Sequence, residues 1–275
     1  MRAAAEAWSR GGRRVALVPT MGALHEGHLR LVDAARADCD TLVVSLFVNP
    51  AQFGPGEDLA RYPRTLAADT RRCRAAGVDV LFAPRAGDMY PSGFCTRVEI
   101  AGPARRLEGK IRPGHFSGVA TIVLKLFQIV RPEVALFGQK DAQQVAVVRR
   151  LVRDLDLPVR IRVAPTLRAA DGVAHSSRNR FLGARERVRA RALHAALCAA
   201  AELYARGERR CAALRRAMRR PFALARGTRL EYAEVVDAES FELLVRADGG
   251  RALLVIAARV GSVRLIDNLP LPLPA

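Results

Sequence analysis

Between residues 15 and 163 the chain alternates short, uniformly apolar runs with stretches whose apolar positions recur every three or four residues, and few folds accommodate that pattern. The runs at 15–18, 41–48, 78–83, 134–137 and 159–163 read as strands. Residues 29–37, 66–76, 119–130 and 143–154 read as helices between them. Strands alternating with helices form βαβ units and a parallel sheet. Such strands are covered on both faces, which is why they are apolar throughout instead of alternating with polar residues. After Pro165 the pattern changes. A polar loop at 168–180 leads into helices at 184–206 and 208–219, then strand-like runs at 230–236, 252–260 and 263–266 with a turn at Asp248-Gly249-Gly250. The expectation is an α/β domain over 1–167 with a parallel sheet and helices on both its faces, followed by a smaller C-terminal α+β domain over 168–275.

A chain of 275 residues has room for two such domains. No apolar run is long enough to cross a bilayer. The first 14 residues mix alanine with arginine and lack the apolar centre of a secretory signal, so a first helix of the fold is expected there. The five cysteines are scattered and contain no CxxC pair, which fits reduced thiols in the cytoplasm and neither a disulfide framework nor a zinc site. The formal charge of +18 invites a nucleic-acid reading, but residues 184–229 alone carry thirteen arginines against three glutamates. Arginines on solvated helix faces explain that segment without a nucleic-acid partner.

Three segments carry chemistry. PTMGALHEGH (19–28) follows the first strand and opens a helix, where backbone N–H groups and the positive dipole end favour an anion. Gly22 and Gly27 allow close approach to the main chain, and the pattern is neither a Walker A loop nor the G-x-G-x-x-G fingerprint. His25 and His28 lie three apart, so their N–H groups can meet phosphate oxygens on one face. The H-E-x-H spacing also differs from the zinc-protease H-E-x-x-H. FGQKDAQQ (137–144) again joins a strand to a helix. Lys140 is one of three lysines in a chain that otherwise uses arginine, which suggests a point cation for phosphate that a guanidinium does not replace. Asp141 reads as a helix cap or as a partner for Mg²⁺ or a ribose hydroxyl, and Gln144 lies one turn further on. His175-Ser176-Ser177-Arg178-Asn179-Arg180 offers hydroxyls and a guanidinium for a triphosphate on a loop able to close over it.

The H-x-G-H pattern resembles the signature of class I synthetase-like nucleotidyltransferases, with the Ser-Ser-Arg-Asn loop in the place of their KMSKS loop. PTMGALHEGH, SLFVNPAQFGPGEDLARYPRT, RPGHFSGVATIVLKLFQIVRP, FGQKDAQQ and ADGVAHSSRNRFL, in that order, resemble the pantoate–β-alanine ligase (pantothenate synthetase) family, and RLIDN near the end has the same look. The likeness is dense over 15–182 and thinner beyond. It implies a Rossmann-like nucleotide-binding domain over 1–167, a smaller C-terminal α+β lid domain over 168–275, and a homodimer that couples pantoate to β-alanine at the expense of ATP, with Mg²⁺ as cofactor, through a pantoyl adenylate. It places Met21, Gly22, Ala23, Leu24, His25, Glu26, Gly27 and His28 at ATP, with His28 as proton donor and His25, Lys140 and Arg178 completing the catalytic set. Gly138, Gln139, Lys140, Asp141, Leu167, His175, Ser176, Ser177 and Arg178 would also contact ATP. Gln52 and Gln144 would hold pantoate, Gln52 would lie beside β-alanine, and Asp69 would belong to the magnesium environment. Glu, Tyr and Met are usual in the family where this chain has Gln139, Ala142 and His175. Two rival readings remain at this point: another H-x-G-H nucleotidylyltransferase acting on a coenzyme or headgroup precursor, and a polyanion-binding module. The resemblance calls for no specific nucleic acid and no membrane.

Overall fold

A computed structural model describes residues 1–272. The chain forms two compact units: Met1–Gly138 with Val147–Pro165, and Gln139–Ala146 with the chain from Thr166 onward.

The first unit contains α1 (Arg2–Arg10), β1 (Val15–Thr20), α2 (Glu26–Arg36), β2 (Thr41–Leu46), α3 (Leu66–Ala75), β3 (Val80–Phe82), α4 (Ala86–Met89), α5 (Glu108–Ile111), α6 (His115–Val130) and β4 (Val134–Gly138). Helix α7 (Ala142–Asp154) follows, and β5 (Arg160–Ala164) closes the sheet. All five strands are parallel in the order β3-β2-β1-β4-β5. Ala16, Leu17, Val18, Leu42, Val43 and Val44 are all fully buried. Successive strand residues point to opposite faces, so burial of consecutive residues means that both faces are covered. Ala16, Val18, Leu42, Val44, Val134 and Leu136 pack with Leu31, Val32 and Ala35 of α2 and Cys73 of α3. Helix α6 lies against β1 and carries an almost unbroken apolar surface. The strand order reverses between β1 and β4, and in open parallel sheets ligands bind beyond the carboxyl ends of the strands at such a switch point.

In the second unit α8 (Ala184–Ala205) and α9 (Cys211–Leu224) cover an antiparallel sheet of β6 (Thr228–Asp237), β7 (Ala252–Val260) and β8 (Val263–Pro270), ordered β6-β7-β8. Ala190, Leu193, Ala196, Leu197, Ala200 and Tyr204 recur at helical spacing on α8 and join Leu254, Ile256 and Ala258 of β7 in the core. The arginine-rich segment lies on the outer faces of these helices. Arg185, Arg191, Arg206, Arg216, Arg219 and Arg220 are exposed, while Arg187 pairs with Asp171 at 2.7 Å and Arg215 with Glu234 at 2.5 Å.

Helix α9 differs from the expected 208–219. Arg209 and Arg210 instead form a short extended pairing with the 245–247 segment, with Cys211 N–H donating to Val245 and Ala247 N–H to Arg209, so the helix starts later. It then runs through Pro221, whose missing N–H removes one bond only a turn from the helix end. The short helices α4 and α5 have too few residues to leave a periodic trace in the sequence.

Candidate active site

The turn after β1 is held from beneath. Thr20 Oγ1 donates to Ser45 O at 2.8 Å and accepts from Gly22 N–H at 3.2 Å. Gly22 sits at φ +79°, a region that costs glycine nothing. Asp69 of α3 is buried and accepts from the N–H groups of Ala23 and Leu24 at 2.9 and 2.8 Å and from Thr65 Oγ1 at 3.0 Å. His25 caps α2: its Nδ1 accepts from Gly27 N–H at 3.1 Å, while His28 Nδ1 accepts from His25 N–H at 3.3 Å. The main-chain donors expected to cradle a ligand at Gly22, Ala23, Leu24, His25 and Gly27 are therefore engaged within the protein. The turn presents imidazoles instead. The two rings stack at 4.0 Å between centroids. Because each Nδ1 accepts a backbone N–H, the neutral ring carries its proton on Nε2, and Nε2–H is the group each histidine can donate.

Beyond β2, Asn49 caps the turn Pro50–Gln52. Asn49 is buried, and its Nδ2 donates to Gln52 Oε1 and Gly118 O, both at 3.1 Å. Its Oδ1 accepts from Ala51 N–H at 3.2 Å and from Tyr90 Oη at 2.7 Å, and burial pushes the Tyr90 phenol up to about 12. Gln52 Nε2 lies 3.0 Å from Met21 Sδ, which brings the expected pantoate glutamine to the expected nucleotide turn. The Gln52 backbone is held as well. His115 Nδ1 lies 2.8 Å from Gln52 O, and Arg112 Nη2 donates to that oxygen at 3.4 Å while forking onto Glu57 at 2.7 and 2.5 Å. Asn49, Arg112, His115 and Glu57 were not picked out as site residues from the sequence. Asn49 stands in the VNPAQ segment, Glu57 in GPGED and Arg112 and His115 in RPGHFSG, but nothing in the spacing shows that residues some sixty positions apart meet.

In the second unit, Gln139–Asp141 form a single 3-10 turn leading into α7, on whose first turn Gln144 sits, partly exposed. Gly138, the last residue of β4, belongs to the first unit. Lys140 Nζ lies 3.3 Å from Asp141 Oδ1, and its side chain is 20% exposed. Leu167 and His175 close a hairpin, with His175 N–H donating to Leu167 O at 3.0 Å, Arg168 bridging Ala174, and Gly172 in the turn at φ +86°. The Ser-Ser-Arg-Asn segment that follows is a 3-10 helix, Ser177–Phe181, capped by Ser176 Oγ, which accepts from Arg178 N–H at 3.3 Å. Lys140, Ser176 and Asn179 line one cleft with Asp267. Asn179 Nδ2 donates to Ala174 O at 2.9 Å and fixes the start of that helix.

Asp69, expected near magnesium, anchors the histidine turn. Among the described residues no group of three or more His, Cys, Asp or Glu is placed to hold a metal ion. Among the same residues no helix is long and apolar enough to cross a membrane, and the five cysteines are free thiols.

Known proteins resemble this chain along nearly its whole length. The family model described as pantoate-beta-alanine ligase matches residues 1–270. The pantothenate synthetase of Thioalkalivibrio sulfidiphilus is 52% identical over 100% of this chain and 96% of its own length. That of Moorella thermoacetica is 50% identical over 94% and 92%. The crystal structure of pantothenate synthetase from Thermus thermophilus superposes with a TM-score of 0.91 at 47% identity, covering 94% of this chain and 93% of that one. The Francisella tularensis pantoate-beta-alanine ligase, complexed with beta-gamma ATP and beta-alanine, gives a TM-score of 0.76 at 36% identity over 94% and 90%. The chain belongs to the pantoate–β-alanine ligase family.

Proposed function

We propose that the chain condenses pantoate with β-alanine to give pantothenate, consuming ATP and releasing AMP and pyrophosphate. The observation that carries this reading is the pairing of Gln52 with Met21 at the foot of the histidine turn, in a chain that matches the ligase family along nearly its whole length. The bound beta-gamma ATP and beta-alanine of the Francisella tularensis relative support the same substrates.

In the first step a pantoate carboxylate oxygen bonds to the α-phosphorus of ATP, the bond to the bridging oxygen breaks, and pyrophosphate leaves. Met21, Gly22, Ala23, Leu24, Glu26 and Gly27 shape the nucleotide side of the turn. His25 and His28 donate Nε2–H to the phosphoryl oxygens as negative charge grows there, which stabilises the transition state more than the ground state. Lys140 neutralises phosphate charge, and Gly138, Gln139, Asp141, Leu167, His175, Ser176, Ser177 and Arg178 bind the remainder of the nucleotide. Gln52 and Gln144 read pantoate hydroxyls with neutral amides that do not repel its carboxylate. In the second step the β-alanine amine, beside Gln52 and already deprotonated from its ammonium form, bonds to the acyl carbon. The acyl C–O bond breaks with its electron pair going to AMP, and the amide nitrogen gives up its remaining extra proton to solvent. Excluding water between the steps protects the adenylate from hydrolysis. Magnesium would accompany the triphosphate as its counter-ion. We place the enzyme in the cytoplasm as a homodimer, in keeping with its free thiols.

The test is substrate dependence. AMP release that requires pantoate and β-alanine together, with pantothenate as product, supports the ligase. A stable nucleotidylated product that is released into solution and that β-alanine does not convert points instead to a nucleotidylyltransferase.

A further inference from the structure

Two polar residues near the end of β8, Asp267 and Asn268, are only 4% and 3% exposed. Asn268 spends its side chain on the turn that bears Lys140. Nδ2 donates to Gln139 O at 2.8 Å and to Lys140 O at 2.9 Å, and Oδ1 accepts from Gln139 Nε2 at 2.9 Å. Those two carbonyls belong to the peptide planes immediately before and after the Lys140 Cα. Pinning both planes fixes φ and ψ of Lys140, and so the direction of its Cα–Cβ bond. Asp267 orients the asparagine by accepting its N–H at 2.8 Å. It also receives both terminal nitrogens of Arg168, at 2.5 and 3.0 Å. Arg168 in turn donates to Gly172 O at 3.2 Å and Asn268 O at 3.3 Å. Arg168 stands at the base of the 167–175 hairpin that delivers Ser176.

We propose that Asp267 and Asn268 form a positioning clamp that aims Lys140 and registers it against the Ser176-Ser177-Arg178 segment for phosphate binding. Both act through the groups they hold, Lys140 and the segment that begins at Ser176. The bland alternative is that the pair merely satisfies the end of a sheet. Burying so many polar groups costs desolvation that apolar side chains in their place would not incur. The contacts also run to the backbone on either side of one lysine instead of along the strand. That arrangement suits aim more than adhesion, and it gives the RLIDN segment a purpose that no substrate contact supplies.

The clamp rests on the reading of Lys140 as a phosphate cation, so Lys140→Ala is measured alongside. Asn268→Ala removes the side chain, and Asn268→Asp keeps its shape while replacing both donors with acceptors. With saturating substrates we expect either change to lower turnover about 30-fold, with KM for pantoate within about twofold of wild type. In the Lys140→Ala background the same changes should add less than about a twofold loss, because the group they position is gone. An equal loss in both backgrounds overturns the proposal, as does wild-type turnover in Asn268→Asp. Unfolding of both variants at the assay temperature overturns it as well, since the role would then be structural. Near-normal turnover in Lys140→Ala sinks the underlying reading of the lysine. An inactive Lys140→Ala beside fully active Asn268 variants sinks the clamp alone.

Discussion

His115 holds the main-chain oxygen of Gln52 from the first turn of α6, with 2.8 Å between Nδ1 and the oxygen. A carbonyl can only accept, so Nδ1 carries the hydrogen and Nε2, 3.1 Å from Arg112 Nη1, is the acceptor. Burial and the neighbouring Arg112 charge push the imidazolium down to about 4 against an ordinary 6.5, with the Gln52 carbonyl, Glu108 and Glu57 pulling the other way. The folded state therefore binds fewer protons than the unfolded state between those values. Stability present above pH 6.5 is lost as pH falls toward 4. Between about pH 7.5 and about pH 5 wild type should lose about 2 kcal/mol more than His115→Gln, which cannot titrate. Urea unfolding at the two pH values measures the difference. Parallel losses in the two proteins would mean that His115 is not held neutral.

Asp69 gives a second prediction. Its carboxylate accepts two backbone N–H groups and one hydroxyl, and an amide in its place turns a donor toward donors. Asp69→Asn should cost about 3 kcal/mol of stability and displace the turn carrying His25 and His28, so that kcat falls with the melting temperature. A magnesium ligand predicts otherwise: an unchanged melting temperature and an activity recovered by raising the magnesium concentration. Thermal melts and a magnesium titration of the variant separate the two.

Fold and site were legible in the sequence to different depths. The parallel sheet could be read because burial on both faces forces uninterrupted apolar runs such as 41–48, and that constraint acts locally. The start of α9 could not, because Arg209 and Arg210 are drawn into pairing with the 245–247 segment, a contact invisible in a local window. The same division governs the site. His25, His28 and Gln52 stand in compact motifs. Asp69, Asn49 and His115 matter through what they hold, and their partners lie far along the chain. Motif reading thus finds the side chains proposed to meet a ligand more readily than the ones that hold them in place.

Gly118 illustrates such a support and gives a third prediction. A Cβ there would lie 2.2 Å from Ala51 O and 2.7 Å from Gln52 N, both backbone atoms with no side-chain freedom to yield. Gly118→Ala should destabilise the protein by about 2–3 kcal/mol and push the Pro50–Gln52 turn off α6. Its carbonyl also takes the Asn49 donor that steadies Gln52. The expected kinetic signature is a raised KM for pantoate, with KM for ATP nearly unchanged. Chemical denaturation and substrate titrations check both parts, and equal increases in the two KM values would contradict a local effect on Gln52.

Lys140 is the sharpest test of the proposed chemistry. It lines a cleft with Ser176 and Asn179 and sits beside Asp141, and the chain uses arginine at nearly every other basic position. An ammonium is a compact charge that can follow phosphate oxygens as they move, whereas a guanidinium is a flat, wider fork. Lys140→Ala should lower the rate of pyrophosphate release by about 100-fold or more, the scale of losing one preorganised cation from a phosphoryl-transfer site. Lys140→Arg restores charge without that shape and should stay about tenfold or more below wild type. Single-turnover measurement of pyrophosphate isolates the adenylation step, and β-alanine added to preformed adenylate isolates the second step, which Lys140 substitutions should leave within about threefold of wild type. An arginine variant at full speed would mean that charge alone is required. An alanine variant defective only in the second step would move Lys140 from the triphosphate to the acyl transfer.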